Sequence, residues 1–231
     1  MVKGATKHPA KFTDTILREF VQIISDYQLA DGTIVDPFAG TGRIHQLGGD
    51  GTIHTIGVEL EPEWAEQHAY TITGDSRDLV NLIHATFPGV RSEVKAIFTS
   101  PAYGNRMADS YAGDAKGSRR STYRIALDRA LSEGNGASMH FGHDYKLLHY
   151  KVWKQCFELL DDGGLMVVNL KNFIRGGHVV DIVEWHRETL ERVGFTFLEQ
   201  RHVDTPGMKM GANRDLRVDG EEILIMRATP F

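Results

Sequence analysis

Residues 33–42 read Thr33-Ile34-Val35-Asp36-Pro37-Phe38-Ala39-Gly40-Thr41-Gly42, an apolar β-branched run halted by proline and followed by a turn of small residues. Such a run is a short buried strand, and Gly40 and Gly42 let the chain reverse tightly while backbone N–H groups stay open to a ligand. The turn lacks the Gly-Lys-Ser/Thr ending of a triphosphate loop, and its glycines miss the dinucleotide spacing. Asp36, at the strand's end, offers an acceptor to a cationic group.

Outward from this stretch, helix and strand signals alternate. Upstream, residues 12–27 place Ile16, Phe20, Ile23, Ile24 and Tyr27 at helical spacing, with Thr13 or Asp14 as cap. Downstream, strands are expected at 54–60, 70–73, 94–99 and 165–170. Helices are expected from Pro62, over 77–86, 145–160 and 179–193, and strands 195–203 and 222–228 form a closing hairpin. This rhythm predicts an α/β, doubly wound sheet, whose ligands sit beyond the carboxyl ends of strands where strand order reverses. The whole chain, 1–231, reads as a single domain interrupted by a Gly-, Ser- and Arg-rich insertion at about 105–145, with a weak helical patch near 125–131.

Composition narrows the function. The chain has 231 residues, 41% of them hydrophobic, and 26 Lys or Arg against 31 Asp or Glu give a net charge of −5, so no global attraction to nucleic acid exists. The excess of cations is local: between 105 and 151, eight Lys or Arg face five acids. No apolar run is long enough for a membrane helix, and the first residues carry no signal core, so a soluble cytoplasmic protein is expected. The single cysteine, Cys156, lies in an apolar helical setting, which excludes a Cys-based zinc site and the thiolate chemistry of cytosine carbon-5 methylation. The histidines His140, His143, His149 and His178 match no helical zinc motif, and no metal is expected.

Three more strand ends carry chemistry. Glu59 ends the second strand, where a carboxylate accepts both hydroxyls of a ribose. Asp75 follows the third, placed either to accept from an adenine amino group or to cap the next helix. The fourth ends in Thr99-Ser100-Pro101-Ala102-Tyr103-Gly104. The amino group of a nucleobase is a poor nucleophile because its lone pair is delocalised. Ser100 and the Pro101 carbonyl can accept its N–H groups while Tyr103 stacks on the extruded base.

Asp36, Phe38, Gly40, Gly42, Glu59 and Asp75 together resemble the cofactor half of class I S-adenosylmethionine-dependent methyltransferases, and Ser100-Pro101-Ala102-Tyr103 resembles the (D/N/S)PP(Y/F) motif of the adenine-N6 and cytosine-N4 DNA methylases. Ala102 departs from the second proline, which bears on how firmly the Tyr103 backbone is held. The segment Lys7-His8-Pro9-Ala10-Lys11-Phe12-Thr13 is similar to the one that closes over the cofactor's methionine end in those enzymes. Ser100 to Met107, followed by an Arg/Tyr/Gly-rich stretch, resembles compact DNA methylases of actinobacteria and their phages.

The resemblance implies a Rossmann-like, seven-stranded sheet with a C-terminal β-hairpin. It implies S-adenosylmethionine held by Lys7, Phe12, Asp36, Phe38, Gly40, Gly42, Glu59 and Asp75, with Ser100, Pro101 and Tyr103 catalytic. The expected partner is double-stranded DNA, met by Arg106, Arg119, Arg120 and Arg124 and methylated at cytosine N4 or adenine N6, as in restriction–modification. Two alternatives stand beside it: a tRNA guanine-N2 type RNA methyltransferase, and a binding protein that retains cofactor and nucleic acid without turnover.

Overall fold

A computed structural model describes residues 8, 12–29, 31–49, 51–90, 94–104, 122–205, 218 and 220–229, and of residues 122, 124 and 125 only the backbone. Strands β1 (Gly32–Asp36), β2 (Ile53–Glu59), β3 (Thr71–Thr73), β4 (Val94–Thr99) and β5 (Leu165–Leu170) pair in parallel. A short two-stranded ribbon, β6 (Phe173–Arg175) and β7 (His178–Val180), follows, and the long strands β8 (Phe195–Val203) and β9 (Glu221–Ala228) add antiparallel to β5. The order β3-β2-β1-β4-β5-β9-β8 is the expected seven-stranded doubly wound sheet with a closing hairpin. It reverses between β1 and β4, so the glycine turn and the serine motif end neighbouring strands.

The central strands β1, β2, β4 and β5 are buried on both faces, which is why they read as continuous apolar runs. Alternate residues part to opposite cores. Leu165, Val167, Ile223 and Ile225 join Ile16, Phe20 and Ile23 of α1 (Asp14–Asp26), capped by the Thr13 hydroxyl. Met166, Val168, Leu224 and Met226 face α3 (Leu79–Thr86), α5 (His143–Leu159) and α6 (Ile182–Val193). Two short helices, α2 (Pro62–Ala65) and α4 (Thr122–Leu127), meet through Trp64, Tyr123 and Leu127 at the sheet's carboxyl edge. Cys156 is fully buried in α5, and burial pushes its thiol up.

Three boundaries correct the expectation. The helix expected from 179 begins at Ile182, because Val179 and Val180 belong to β7. The turn between β6 and β7 is Gly176-Gly177, at φ 57° and 79°, the left-handed pair that a two-residue hairpin requires. The helical patch of the insertion spans Thr122–Leu127, earlier than 125–131, and α5 starts at His143 rather than 145. No helix among the described residues is long and apolar enough to cross a membrane.

Candidate active site

The carboxyl ends of β1, β2 and β4 open on one cavity of about 270 Å³, walled by Phe38, Leu60, Trp64, Leu148 and Ala137 and reached by Glu59, Asp75, Ser100, Pro101, Tyr103 and Glu221. Among the described residues its charged side chains are three carboxylates, of which Asp75 is paired with Arg77, and one arginine, Arg43, which is itself paired with Asp14. An acidic, largely apolar chamber suits a cationic ligand with an aromatic body and not a phosphate.

On the β1–β2 side the acids hold backbone. Asp36, fully buried, accepts from the Phe38 N–H at 2.9 Å and the Thr99 hydroxyl at 2.6 Å through one oxygen, while its other oxygen has no partner among the described residues. Desolvation pushes its pKa up to about 7, against the opposing pull of those two donors. Glu59 accepts from the Gly40 N–H and the Glu61 N–H, both at 2.9 Å, and burial raises its pKa to about 7 as well. Each Glu59 oxygen keeps a second lone pair, so the geometry leaves it able to accept a ligand hydroxyl. Gly40 sits at φ 54°, with the His8 ring where a side chain would point. His8 in turn meets Trp64 edge-on at 4.2 Å, laying part of the amino-terminal segment against the cavity.

Asp75 takes the capping role, accepting from the Arg77 N–H at 2.9 Å and pairing with the Arg77 guanidinium, which lowers its pKa. Glu61 is buried completely. It accepts from the Ser132 N–H and hydroxyl and from the Asn135 amide, and pairs with Arg129, fastening residues 129–135 over the chamber.

On the β4 side, side chains meet side chains. Asn169, at the end of β5, donates to Glu221 at 2.6 Å and lies 3.1 Å from the Ser100 hydroxyl and 3.3 Å from that of Tyr103. Tyr103 donates to Glu221 at 3.2 Å. Burial raises the Tyr103 pKa, so the phenol stays protonated.

The Ala102 position is secured from behind. The Trp153 indole N–H donates to Nδ1 of His186 at 3.1 Å, so a neutral His186 carries its proton on Nε2, 2.9 Å from the Tyr145 hydroxyl, which donates to the Ala102 carbonyl at 2.9 Å. Burial drives the His186 pKa well down, which fits a neutral ring. A directional chain of three hydrogen bonds thus anchors the Ala102 carbonyl.

The cavity gathers Phe12, Phe38, Gly40, Glu59, Asp75, Ser100, Pro101 and Tyr103. Asp36 and Gly42 are not on its surface: Asp36 braces the turn from beneath, and Gly42, at φ 74°, closes it through an N–H to the Ala39 carbonyl. Lys7, Arg106, Arg119 and Arg120 lie outside the described residues, as does the side chain of Arg124. His8 falls in the segment likened to a cofactor-closing one, whereas Trp64 on the cavity wall and Asn169 and Glu221 beside Ser100 and Tyr103 are positions that sequence reasoning missed. Only Trp64, three residues past the strand-two acids, left a signal there.

Comparison with known proteins supplies the architecture's kin. No family model matches the sequence, and no curated protein does. Among solved structures, an rRNA methylase from Streptococcus thermophilus matches 96% of this chain and 100% of its own at 11% identity, with a TM-score of 0.50. The 1,6-didemethyltoxoflavin-N1-methyltransferase of Burkholderia thailandensis, solved with S-adenosylhomocysteine, matches over 93% of this chain and 78% of its own, at 13% identity and a TM-score of 0.50. The fold is the Rossmann-like one of class I methyltransferases. TrmN from Thermus thermophilus is 14% identical over 92% of this chain, with a TM-score of 0.48, and this chain spans 48% of its length.

Proposed function

We propose that the protein is an S-adenosylmethionine-dependent methyltransferase acting on an exocyclic amine of a DNA base, cytosine N4 or adenine N6. One observation carries the reading: a single acidic, aromatic-walled cavity joins the glycine turn and Glu59 to Ser100, Pro101 and Tyr103. A bound S-adenosylmethionine supplies an electrophilic methyl group there. Glu59 receives ribose hydroxyls, Phe38 and Leu60 contact the nucleoside body, and Glu59 and Glu221, unlike Asp75 not paired with a cation among the described residues, favour a sulfonium charge. Ser100 and the Pro101 carbonyl accept the amine's N–H groups and turn its lone pair toward the chamber, and Tyr103 supports the flipped base. Such a chain needs DNA contacts beyond the cavity, and Arg106, Arg119, Arg120 and Arg124 in the cationic insertion are proposed to meet phosphates. An RNA amine is the second reading, favoured by the fold shared with an rRNA methylase.

Incubation with methyl-labelled cofactor and unmethylated DNA, RNA or neither, followed by digestion to nucleosides, tests the proposal. Label on N4-methylcytosine or N6-methyladenine from DNA is expected. Label confined to RNA would replace the first reading by the second, and cofactor binding without transfer to either would leave an inert binding protein.

A further inference from the structure

We infer that Glu221 is the carboxylate that Ser100 replaces at the head of the motif, wired to it through the Tyr103 hydroxyl as a relay that accepts the amine's proton. The inference rests on the amine-methylating function proposed above. A serine hydroxyl is ambivalent: it can donate to a substrate nitrogen as readily as accept from it, and donation would tie up the lone pair that must attack. The surrounding contacts remove the ambivalence.

The Asn169 amide carries two N–H bonds. One goes to Glu221, at 2.6 Å, and this contact fixes the amide's orientation, because a carboxylate requires a donor. The other faces Ser100 and Tyr103 at 3.1 and 3.3 Å. Tyr103 commits its own proton to Glu221. The Ser100 hydroxyl, 3.3 Å from the Tyr103 oxygen, then donates there, and the lone pair it keeps beyond the Asn169 contact is an acceptor for the substrate. Proton order therefore runs Ser100 to Tyr103 to Glu221, and both Glu221 and Ser100 line the cavity. Register explains the meeting: Ile223 of β9 pairs with Asn169, and Glu221 lies two residues along the same face.

The step balances. The amine nitrogen bonds the methyl carbon, the carbon–sulfur bond breaks with its electron pair going to sulfur, and the nitrogen's surplus proton passes to Ser100. The Ser100 proton moves to Tyr103 and the Tyr103 proton to Glu221, which ends neutral and returns its proton to solvent.

Single-turnover methyl transfer by Tyr103→Phe, Glu221→Gln and the double variant tests the relay. Each single change is expected to slow transfer roughly a hundredfold, as loss of a positioned acid–base group does. The double should be no slower than the slower single, and Ser100→Asp should recover at least about tenfold in the Glu221→Gln background. Tyr103→Phe keeps the ring, so its loss reports the hydroxyl, and it stands alone if Glu221→Gln fails to fold. A readout independent of turnover is calorimetric binding of a cofactor analogue with a protonated amine in place of the methylsulfonium. Relative to S-adenosylhomocysteine, Glu221→Gln should bind it about tenfold more weakly than the parent does.

Single variants within twofold of the parent, or losses that multiply in the double, would overturn the relay, as would an unchanged analogue preference. If the parent methylates no nucleic-acid amine, the proposed function fails, and the analogue comparison still decides whether Glu221 faces the transferred group.

Discussion

The acids beneath the glycine turn and the acid beside the serine motif sit at the same edge of one sheet, yet they are used differently. Asp36 and Glu59 accept backbone N–H groups, from Phe38, Gly40 and Glu61, and so hold the chain's course. Among the described residues Glu221 accepts only from side chains, Asn169 and Tyr103. A carboxylate bonded to backbone is part of the scaffold and costs structure when removed. One bonded to rotatable hydroxyls can exchange protons without disturbing the fold. One half of the cavity is therefore built to stay in place, the other to react.

That contrast can be broken by experiment, starting where the effect is greatest. Tyr103→Ala removes ring and hydroxyl together and should lower turnover by more than about a hundredfold, since stacking alone is worth roughly 1–3 kcal/mol and orientation adds to it. S-adenosylhomocysteine affinity should change less than about twofold, and a comparable loss in both would dissolve the distinction between the halves.

Next comes stability against pH in the ligand-free protein. Asp36, with a folded pKa raised from 3.8 to about 7, stays protonated between those values while the unfolded chain ionises. Its contribution is complete below pH 4 and lost as pH rises toward 7, on the order of 4 kcal/mol. Glu59 adds to the same slope, with a pKa raised from 4.5 to about 7. Calorimetric melting of Asp36→Asn should show a clearly flatter decline from pH 4 to 8 than the parent, and identical curves would show that Asp36 does not titrate in that window.

Third, Glu59→Ala should weaken S-adenosylhomocysteine by roughly ten- to fiftyfold, the value of one or two charge-assisted hydrogen bonds. Normal binding would move the pocket elsewhere. The smallest effect is reserved for the chain behind Ala102. Tyr145→Phe leaves the Ala102 carbonyl and the His186 N–H without partners and should cost about 1–3 kcal/mol on unfolding. Turnover should fall about fivefold with KM unmoved, a split that a purely structural defect would not produce.

The sheet was legible because its central strands β1, β2, β4 and β5 are compact apolar runs, almost wholly buried. Glu59, Ser100 and Tyr103 were legible because strand ends in such a sheet converge at the reversal. The β6–β7 ribbon escaped notice although Gly176-Gly177 marks it: Val179 and Val180 continue into Ile182 and Val183 at a spacing that a helix also satisfies. Asn169 and Glu221 are 52 residues apart and meet only through the pairing of β5 with β9, a neighbourhood no linear spacing records. The sequence places Asp36 at a strand end, where it suits a ligand contact. Its short side chain instead turns back on its own turn, a geometry that the residue type favours as strongly.

Glu61, submerged and gripping Ser132, Asn135 and Arg129, has an evolutionary corollary. The roof of the chamber is moored downstream of the cationic insertion, by an acid belonging to the cofactor side. Stretches ahead of that mooring can be lengthened, shortened or exchanged while the chamber keeps its outline.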